Sequence, residues 1–399
     1  MRYIKRNKYL NKLISLNNTP DIKVITGIRR SGKSVLLNEY VQYLKKNEQN
    51  INVININLLD LKNIGLLEYK TLHDYVMSHY KKKAHNVVVI DEVQLCPKFE
   101  LTINSLHSKG LFDIYITGSN AFLLSSDLAT LFTGRTMQVQ VFPFSFKEYL
   151  QYYKYKDNFD EHFDDYVLEG GLAGSYVYKN DNEKRDYIRD VYETILLRDL
   201  VSKYKIRNKD ELIRITEFMM DNVSNLLSSN NMAKELNKNS SSITDKTIKK
   251  YIDYLSNSFL FYEVGRYDLK GKSYLSNNRK YYLVDQSFIY AINGTKNMDY
   301  GRVYENMVAI ELMRRGYEIY VGKLYQKEID FVARKNGSIT YIQVSDNITE
   351  ETTFKREYEP LLQIKDAYPK MIIARTRHRD YSYEGIVVKD IVNWLREED

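Results

Sequence analysis

In the first half of the chain, apolar residues fall into short β-branched runs separated by longer amphipathic stretches. IKVIT ends at Thr26, INVINI starts at Ile51, NVVVID ends at Asp91, DIYIT ends at Thr117 and MQVQVF starts at Met137. Runs of this kind are strands covered on both faces, while SVLLNEYVQYLKK, apolar at helical spacing, is one of the helices that would cross between them. The pattern predicts an α/β fold built on a five-stranded parallel sheet.

Beyond it the pattern changes. From about Tyr149 to Asp221 the chain turns Tyr-rich and helical, with VYETILLRDLVSKY as its clearest helix, and reads as a lid or connector. From Phe218 to Tyr267 the order is NLLSSNNMAKELN, a polar SSS stretch, TDKTIKKYIDYL and then FLFYEVGRY. Two short helices followed by a strand and turn predict a winged helix-turn-helix. After about Lys272 the strand-like runs KYYLVD, EIDFVAR, ITYIQVS and KMIIART accompany the helix VYENMVAIELMRRG, which predicts a separate α/β domain. The expected division is 1–148, 149–217, 218–268 and 269–399, with no internal repeat.

Composition narrows the class without naming it. A chain of 399 residues exceeds one compact core, and 43% hydrophobic with 28% charged residues is a globular balance. The lone Cys96 can form no internal disulfide, so a reducing compartment, the cytoplasm, is expected. The N-terminus MRYIKRNKYLNKLISL interrupts its apolar residues with Lys and Asn, and no apolar run is long enough to span a bilayer, so no membrane partner is expected. The net charge of +7 is spread along the chain and adds little for nucleic acid, and the 36 tyrosines read as compositional bias.

The chemistry concentrates at strand ends. Gly27-Ile28-Arg29-Arg30-Ser31-Gly32-Lys33-Ser34 matches GxxxxGK[ST] and follows the strand IKVIT directly; Val35 continues into the next helix. Glycines let the backbone close around phosphates so that amide N–H groups and the helix N-terminus face negative charge. Lys33 would neutralise the β- and γ-phosphates of ATP, and Ser34 would hold Mg²⁺. In VVVIDE, Asp91 emerges at the carboxyl end of a buried strand and would complete the Mg²⁺ site. Glu92, pointing away from Asp91 on an extended chain, would polarise the attacking water. At the next strand end, Thr117, Ser119 and Asn120 offer polar groups, with Ser119 and Asn120 the preferred contacts to the γ-phosphate or the water. Gly134-Arg135 follows SSDLATLF, and Arg135 could reach a γ-phosphate of its own or a neighbouring subunit, the latter requiring a homo-oligomer.

In this order GIRRSGKS, VVVIDEVQ, ITGSNAFLLS, LFTGRTMQVQVFPFSFKEYL, EGGLAGSY, YETILLRDL, GRVYENMVAIEL and EIDFVARKNGSITYIQVS cover nearly the whole chain. They resemble the prokaryotic AAA-type P-loop ATPases that carry a winged-helix middle and a C-terminal restriction-endonuclease-like domain of unknown function. The resemblance implies ATP binding and a nuclease-like fold at the end. Sites of that nuclease-like kind need an acidic residue on a helix, an Asp on one strand, and Asp or Glu with a Lys two residues on along the next. Glu305 and Asp330 match, but Gln343 and Ser345 stand where a carboxylate and the lysine belong, so the domain is expected to lack nuclease activity.

TDKTIKKYIDYL would be a recognition helix, with Lys246, Lys249 and Lys250 toward DNA and Ile248, Ile252 and Leu255 turned inward. Solvated lysines, or a surface for docking another protein, are the competing readings. The sequence therefore points to an Mg²⁺-dependent ATPase coupling nucleotide state to movement of the later domains. The alternatives are a nucleotide-gated DNA-binding module with little turnover and an ATP-dependent nuclease.

Overall fold

The computed structural model describes residues 3–118, 132, 134–238, 243–294 and 299–397. It divides into an N-terminal unit, residues 2–142 with the stretch 202–205, and a C-terminal unit, residues 143–201 and 206–399.

In the N-terminal unit, strands β1 (Ile22–Thr26), β2 (Ile51–Asn57), β3 (His85–Asp91), β4 (Asp113–Thr117) and β5 (Thr136–Gln140) form one five-stranded sheet in the order β2-β3-β4-β1-β5. Every pairing is parallel, as the unbroken apolar runs required. Alternate residues of each strand serve opposite layers. Ile25, Val87, Val89 and Tyr115 pack with Leu10 and Leu13 of α1 (Asn7–Ser15) and with Leu36, Tyr40 and Leu44 of α2 (Lys33–Asn47). On the other side Val24, Val88, Ile90 and Ile116 meet Leu72 and Val76 of α3 (Tyr69–Ser78) and Ile103 and Leu106 of α4 (Phe99–Ser108). Sealing both faces leaves the strand ends as the accessible parts of the sheet, and in parallel sheets ligands bind at the carboxyl ends.

The C-terminal unit opens with aromatic packing. Ser145 caps α5 (Phe146–Tyr153) in a capping box with Glu148. Phe146 lies edge-on to Phe163 of α6 (Phe159–Glu169) at 5.6 Å between centroids, and Tyr149 lies edge-on to Tyr176 at 5.4 Å. Many of the tyrosines read above as compositional bias are thus core residues here, each ring burying a large area with its hydroxyl left to find a partner. Tyr166 Oη donates to Phe144 O and Tyr176 Oη to Gly170 O. In EGGLAGSY, a Cβ on Gly170, whose φ is +66°, would overlap the carboxyl of the buried Asp285, which accepts the Gly171 N–H at 2.7 Å. The residues predicted as one helix, VYETILLRDLVSKY, are helical throughout, as the end of α7 (Asp181–Glu193), a π-helical stretch over Thr194–Leu200, which buries Ile195, Leu196 and Leu200, and an α-helical turn over Val201–Tyr204.

Helices α8 (Lys209–Asp221), α9 (Ser229–Leu236) and α10 (Asp245–Asn257) then lead into the antiparallel hairpin β7 (Phe261–Asp268) and β8 (Ser273–Leu283), with a short β6 (Leu226–Leu227) beside β8. Helix α11 (Ser287–Asn293) packs against α7. The hairpin continues, through β9 (Glu318–Leu324), into β10 (Lys327–Lys335), β11 (Ser338–Ser345), β12 (Lys370–Ala374), β13 (Tyr381–Tyr383) and β14 (Ile386–Asp390). They form one nine-stranded sheet ordered β13-β14-β12-β11-β10-β9-β7-β8-β6, so hydrogen bonding runs without a break from the hairpin to the last strand. Helix α12 (Tyr300–Arg314) is buried from Val303 to Leu312, α13 (Glu351–Leu362) packs on β11, and α14 (Ile391–Arg396) closes the unit.

Candidate functional site

The turn from β1 to α2 is shaped by positive φ at Gly27 (+134°), Arg30 (+67°) and Gly32 (+94°). Gly27 has a second reason to be glycine: a Cβ would overlap the backbone oxygen of Val141 just beyond β5. Gly32 caps α2, so the loop's N–H groups gather at a helix N-terminus, a surface suited to phosphate oxygens. Lys33 is buried at 7% exposure, and its ammonium donates to Gly27 O at 2.9 Å and Ile28 O at 3.0 Å. Ser31 is 3% exposed and its hydroxyl has no partner among the described residues, the condition of a polar group whose partner is a ligand or water. Val35 is exposed on the first turn of α2.

Asp91 ends β3 at the same edge of the sheet, because β1, β4 and β3 are parallel neighbours with Ile25 beside Thr117 and Ile116 beside Ile90. Thr117 joins the rows: its hydroxyl donates to Asp91 Oδ1 and accepts the Glu92 N–H at 3.2 Å. The hydroxyl is thereby committed to the carboxylate rather than to a ligand. The expectation of an extended chain at Glu92 is corrected. Glu92 has φ +59°, a left-handed turn entered because the chain passes at once into the 3₁₀ turn Val93–Leu95. The turn still parts the two carboxylates, and Glu92 Oε2 accepts from Gln94 Nε2 at 2.5 Å.

Two other predicted positions fall differently. Ser119 and Asn120 lie outside the described residues. Arg135 is not brought to the loop: its carbonyl accepts the Ile22 N–H at 2.9 Å, at the amino end of β1. The five residues of β1, about 16 Å at 3.3 Å per residue, separate it from Gly27. In this chain the Arg135 backbone therefore stands at the edge opposite the phosphate loop.

The C-terminal unit holds a second cluster with a member that motif matching missed. Lys280 on β8 is 3% exposed, and its ammonium lies 2.8 Å from Glu305 Oε1, 2.7 Å from Glu328 Oε1 and 3.5 Å from Asp330 Oδ1. Tyr282 Oη donates to Glu305 Oε1 at 2.7 Å. Gln343 Oε1 accepts the Asp330 N–H, Gln343 Nε2 donates to Glu357, and Asp330 Oδ2 accepts the Val344 N–H. Ser345 is turned away, donating to Asn347 O. Burial pulls the Lys280 pKa down, but the facing Glu305, Asp330 and Glu328 outweigh it and hold the ammonium above its usual range. Burial first and Glu305 second push Asp330 well above the ordinary carboxylate range, against Lys280 and the Val344 N–H. A cation is thus supplied by the chain itself among the acidic residues of the expected nuclease-like site. Beside it opens a groove of about 580 Å³ lined by Lys327, Glu328, Asp330, Gln343, Arg356 and Glu357.

On helix α10, Ile248, Ile252 and Leu255 are buried, while Lys246, Lys249 and Lys250 are exposed. A polar groove of about 730 Å³ takes in Lys249 alone of the three, with Lys234, Asp253, Glu263, Asn278 and Arg279. No helix among the described residues is long and apolar enough to cross a membrane.

A model described as an AAA domain matches residues 19–150, and models described as domains of unknown function, DUF8612 and DUF4143, match 160–299 and 300–394. A protein of Haemophilus influenzae described as uncharacterized is 37% identical over 98% of both chains. Another such protein, from Methanocaldococcus jannaschii, is 27% identical over 86% of this chain and 77% of its own length. Among solved structures, a Walker-type ATPase of Pyrococcus abyssi covers 73% of this chain and 96% of its own with a TM-score of 0.50 at 15% identity, a likeness of fold.

Proposed function

From the premise that this chain belongs to the family of the Haemophilus influenzae protein and carries an AAA domain of the P-loop type, we propose that it is an ATPase whose turnover changes the state of the C-terminal unit. Residues Gly27 to Val35 would wrap the phosphates through backbone N–H groups. Lys33 would exchange its bonds to Gly27 O and Ile28 O for phosphate oxygens, since a carbonyl competes poorly with an anion for an ammonium. Ser34 and Asp91 are the oxygen donors that fit Mg²⁺, and the metal would neutralise charge developing on the phosphates. Glu92 would orient the attacking water, for which it must leave Gln94. Ser119 and Asn120 remain part of this reading as γ-phosphate or water contacts, and Arg135 only as a donor to the site of a second copy.

One observation carries the proposal. The phosphate loop and the Asp91–Thr117 pair open at the same edge of one parallel sheet. The test is Glu92→Gln, which should keep ATP and lose turnover; equal turnover in that variant would remove Glu92 from its role.

A second reading, nucleotide-gated DNA binding, draws on α9, α10 and the β7–β8 hairpin, the order a winged helix has, and on the exposed Lys246, Lys249 and Lys250, of which Lys249 lines a polar groove. Duplex affinity that falls with salt and with replacement of these lysines by Ala would support it; affinity indifferent to both would exclude it. An ATP-driven nuclease is disfavoured because Gln343 and Ser345 lack the needed charges and Lys280 already neutralises the carboxylates.

A further inference from the structure

Arg6 precedes α1 and is 5% exposed, an unusual depth for an arginine. Its guanidinium lies 4.5 Å over the Tyr9 ring. The same terminal nitrogen donates to Ser31 O and to Phe142 O, each at 2.9 Å. Ser31 is the phosphate-loop residue whose hydroxyl has no partner among the described residues, and Phe142 ends the 2–142 segment of the N-terminal unit. Tyr9 reinforces the second leg, its hydroxyl accepting the Phe142 N–H at 3.3 Å.

We infer that Arg6 is a positioning residue for the phosphate loop and that, through Phe142, its guanidinium passes the state of the loop to the end of the N-terminal unit. Nω–H groups on a planar guanidinium are rigidly placed, so the peptide carbonyl of Ser31 is held with its neighbouring N–H groups turned to the phosphate side. A full positive charge beside the loop in a low-dielectric setting also favours a polyphosphate over an uncharged ligand. Any shift of the Ser31 carbonyl on phosphate binding must either break its bond to Arg6 or carry Arg6 along. Since one nitrogen serves both carbonyls, the second course either displaces Phe142 or breaks its bond to Arg6.

This inference rests on the nucleotide reading above, and the experiment separates the two. Affinities for ATP, ADP and adenosine are measured on the full-length wild type, Arg6→Met and Arg6→Lys, with far-UV circular dichroism and nucleotide-free melting establishing the fold. Arg6→Met should lose about 10- to 100-fold in ATP affinity, less for ADP, and should bind adenosine as wild type does. Arg6→Lys, which keeps the charge, should recover part of the ATP loss. Hydrogen exchange of peptides spanning 141–146 should respond to ATP in the wild type and not in Arg6→Lys, a readout that remains if Arg6→Met does not fold. ATP affinity unchanged in a folded Arg6→Met, equal losses for ATP and adenosine, or an exchange response preserved in Arg6→Lys would overturn the inference while leaving the nucleotide site standing. A wild type that binds none of the three would overturn the nucleotide reading and this inference with it.

Discussion

The ammonium of Lys280 sits 2.8 Å from Glu305 Oε1 with both residues buried, and Glu328 and Asp330 complete its surroundings. Removing the cation leaves Glu305, 8% exposed, without its ion-pair partner. Lys280→Met should therefore cost about 3–5 kcal/mol of stability in the C-terminal unit. Adding Glu305→Gln should return part of it, since neutralising both partners removes the unpaired charge. Hydrogen exchange along α12 and β10 checks this; unchanged protection in Lys280→Met would show that the pair contributes nothing.

Asp330 adds a dependence on pH whose sign follows from its raised pKa. A carboxyl held above its ordinary range in the folded state stabilises fully below the unfolded value of 3.8 and loses that stabilisation as pH rises through the folded value. The asparagine amide keeps an oxygen for the Val344 N–H and cannot ionise. Asp330→Asn should accordingly be no more stable than the wild type near pH 4 and gain on it steadily toward pH 8, measured by thermal melting at a series of pH values. A constant difference across the series would contradict the assignment.

The two loop glycines should differ in what alanine does to them. Gly32 has open space where a Cβ would stand, so Gly32→Ala carries only the backbone strain of positive φ, about 1–2 kcal/mol. Gly27→Ala adds overlap with the Val141 carbonyl, which cannot move without disturbing β5. Nucleotide-free melting should place Gly27→Ala well below Gly32→Ala; equal midpoints would mean the loop relaxes freely.

Thr117 supports Asp91 without facing the ligand, so Thr117→Val should remove the donor to Asp91 and the acceptor of the Glu92 N–H together. Partners of this kind typically contribute about 10- to 100-fold to metal affinity or activity. Turnover should fall by that order with ATP affinity in the absence of Mg²⁺ unchanged. Loss of both to the same extent would show a general failure of the sheet edge instead.

How much of this was legible follows from sequence separation. Gly27 to Ser34 carry their function on consecutive residues, and Asp91 follows an apolar run that can only be a buried strand, so the loop, its strand and the parallel sheet could be read directly. The buried face of α10 was legible for the same reason, its apolar residues recurring at helical spacing. Lys280 was not, because it joins Glu305 across 25 positions through pairing of β8 and packing of α12, and a lysine in a polar stretch looks solvated. Arg6 meets Phe142 across 136 positions and gives no local signal at all. The placing of Arg135 was not legible either: it directly precedes β5, and only the parallel pairing with β1 puts its backbone at the edge away from Gly27.

The central claim is ATP turnover at the Gly27–Ser34 loop, and release of phosphate from Mg²⁺-ATP by the wild type and by Lys33→Ala, each with and without duplex DNA, tests it most directly. Wild-type turnover that Lys33→Ala abolishes is the predicted result, and stimulation by DNA would make the helix α10 surface its sensor. Turnover of the same size in Lys33→Ala, or none in the wild type under either condition, would contradict the account.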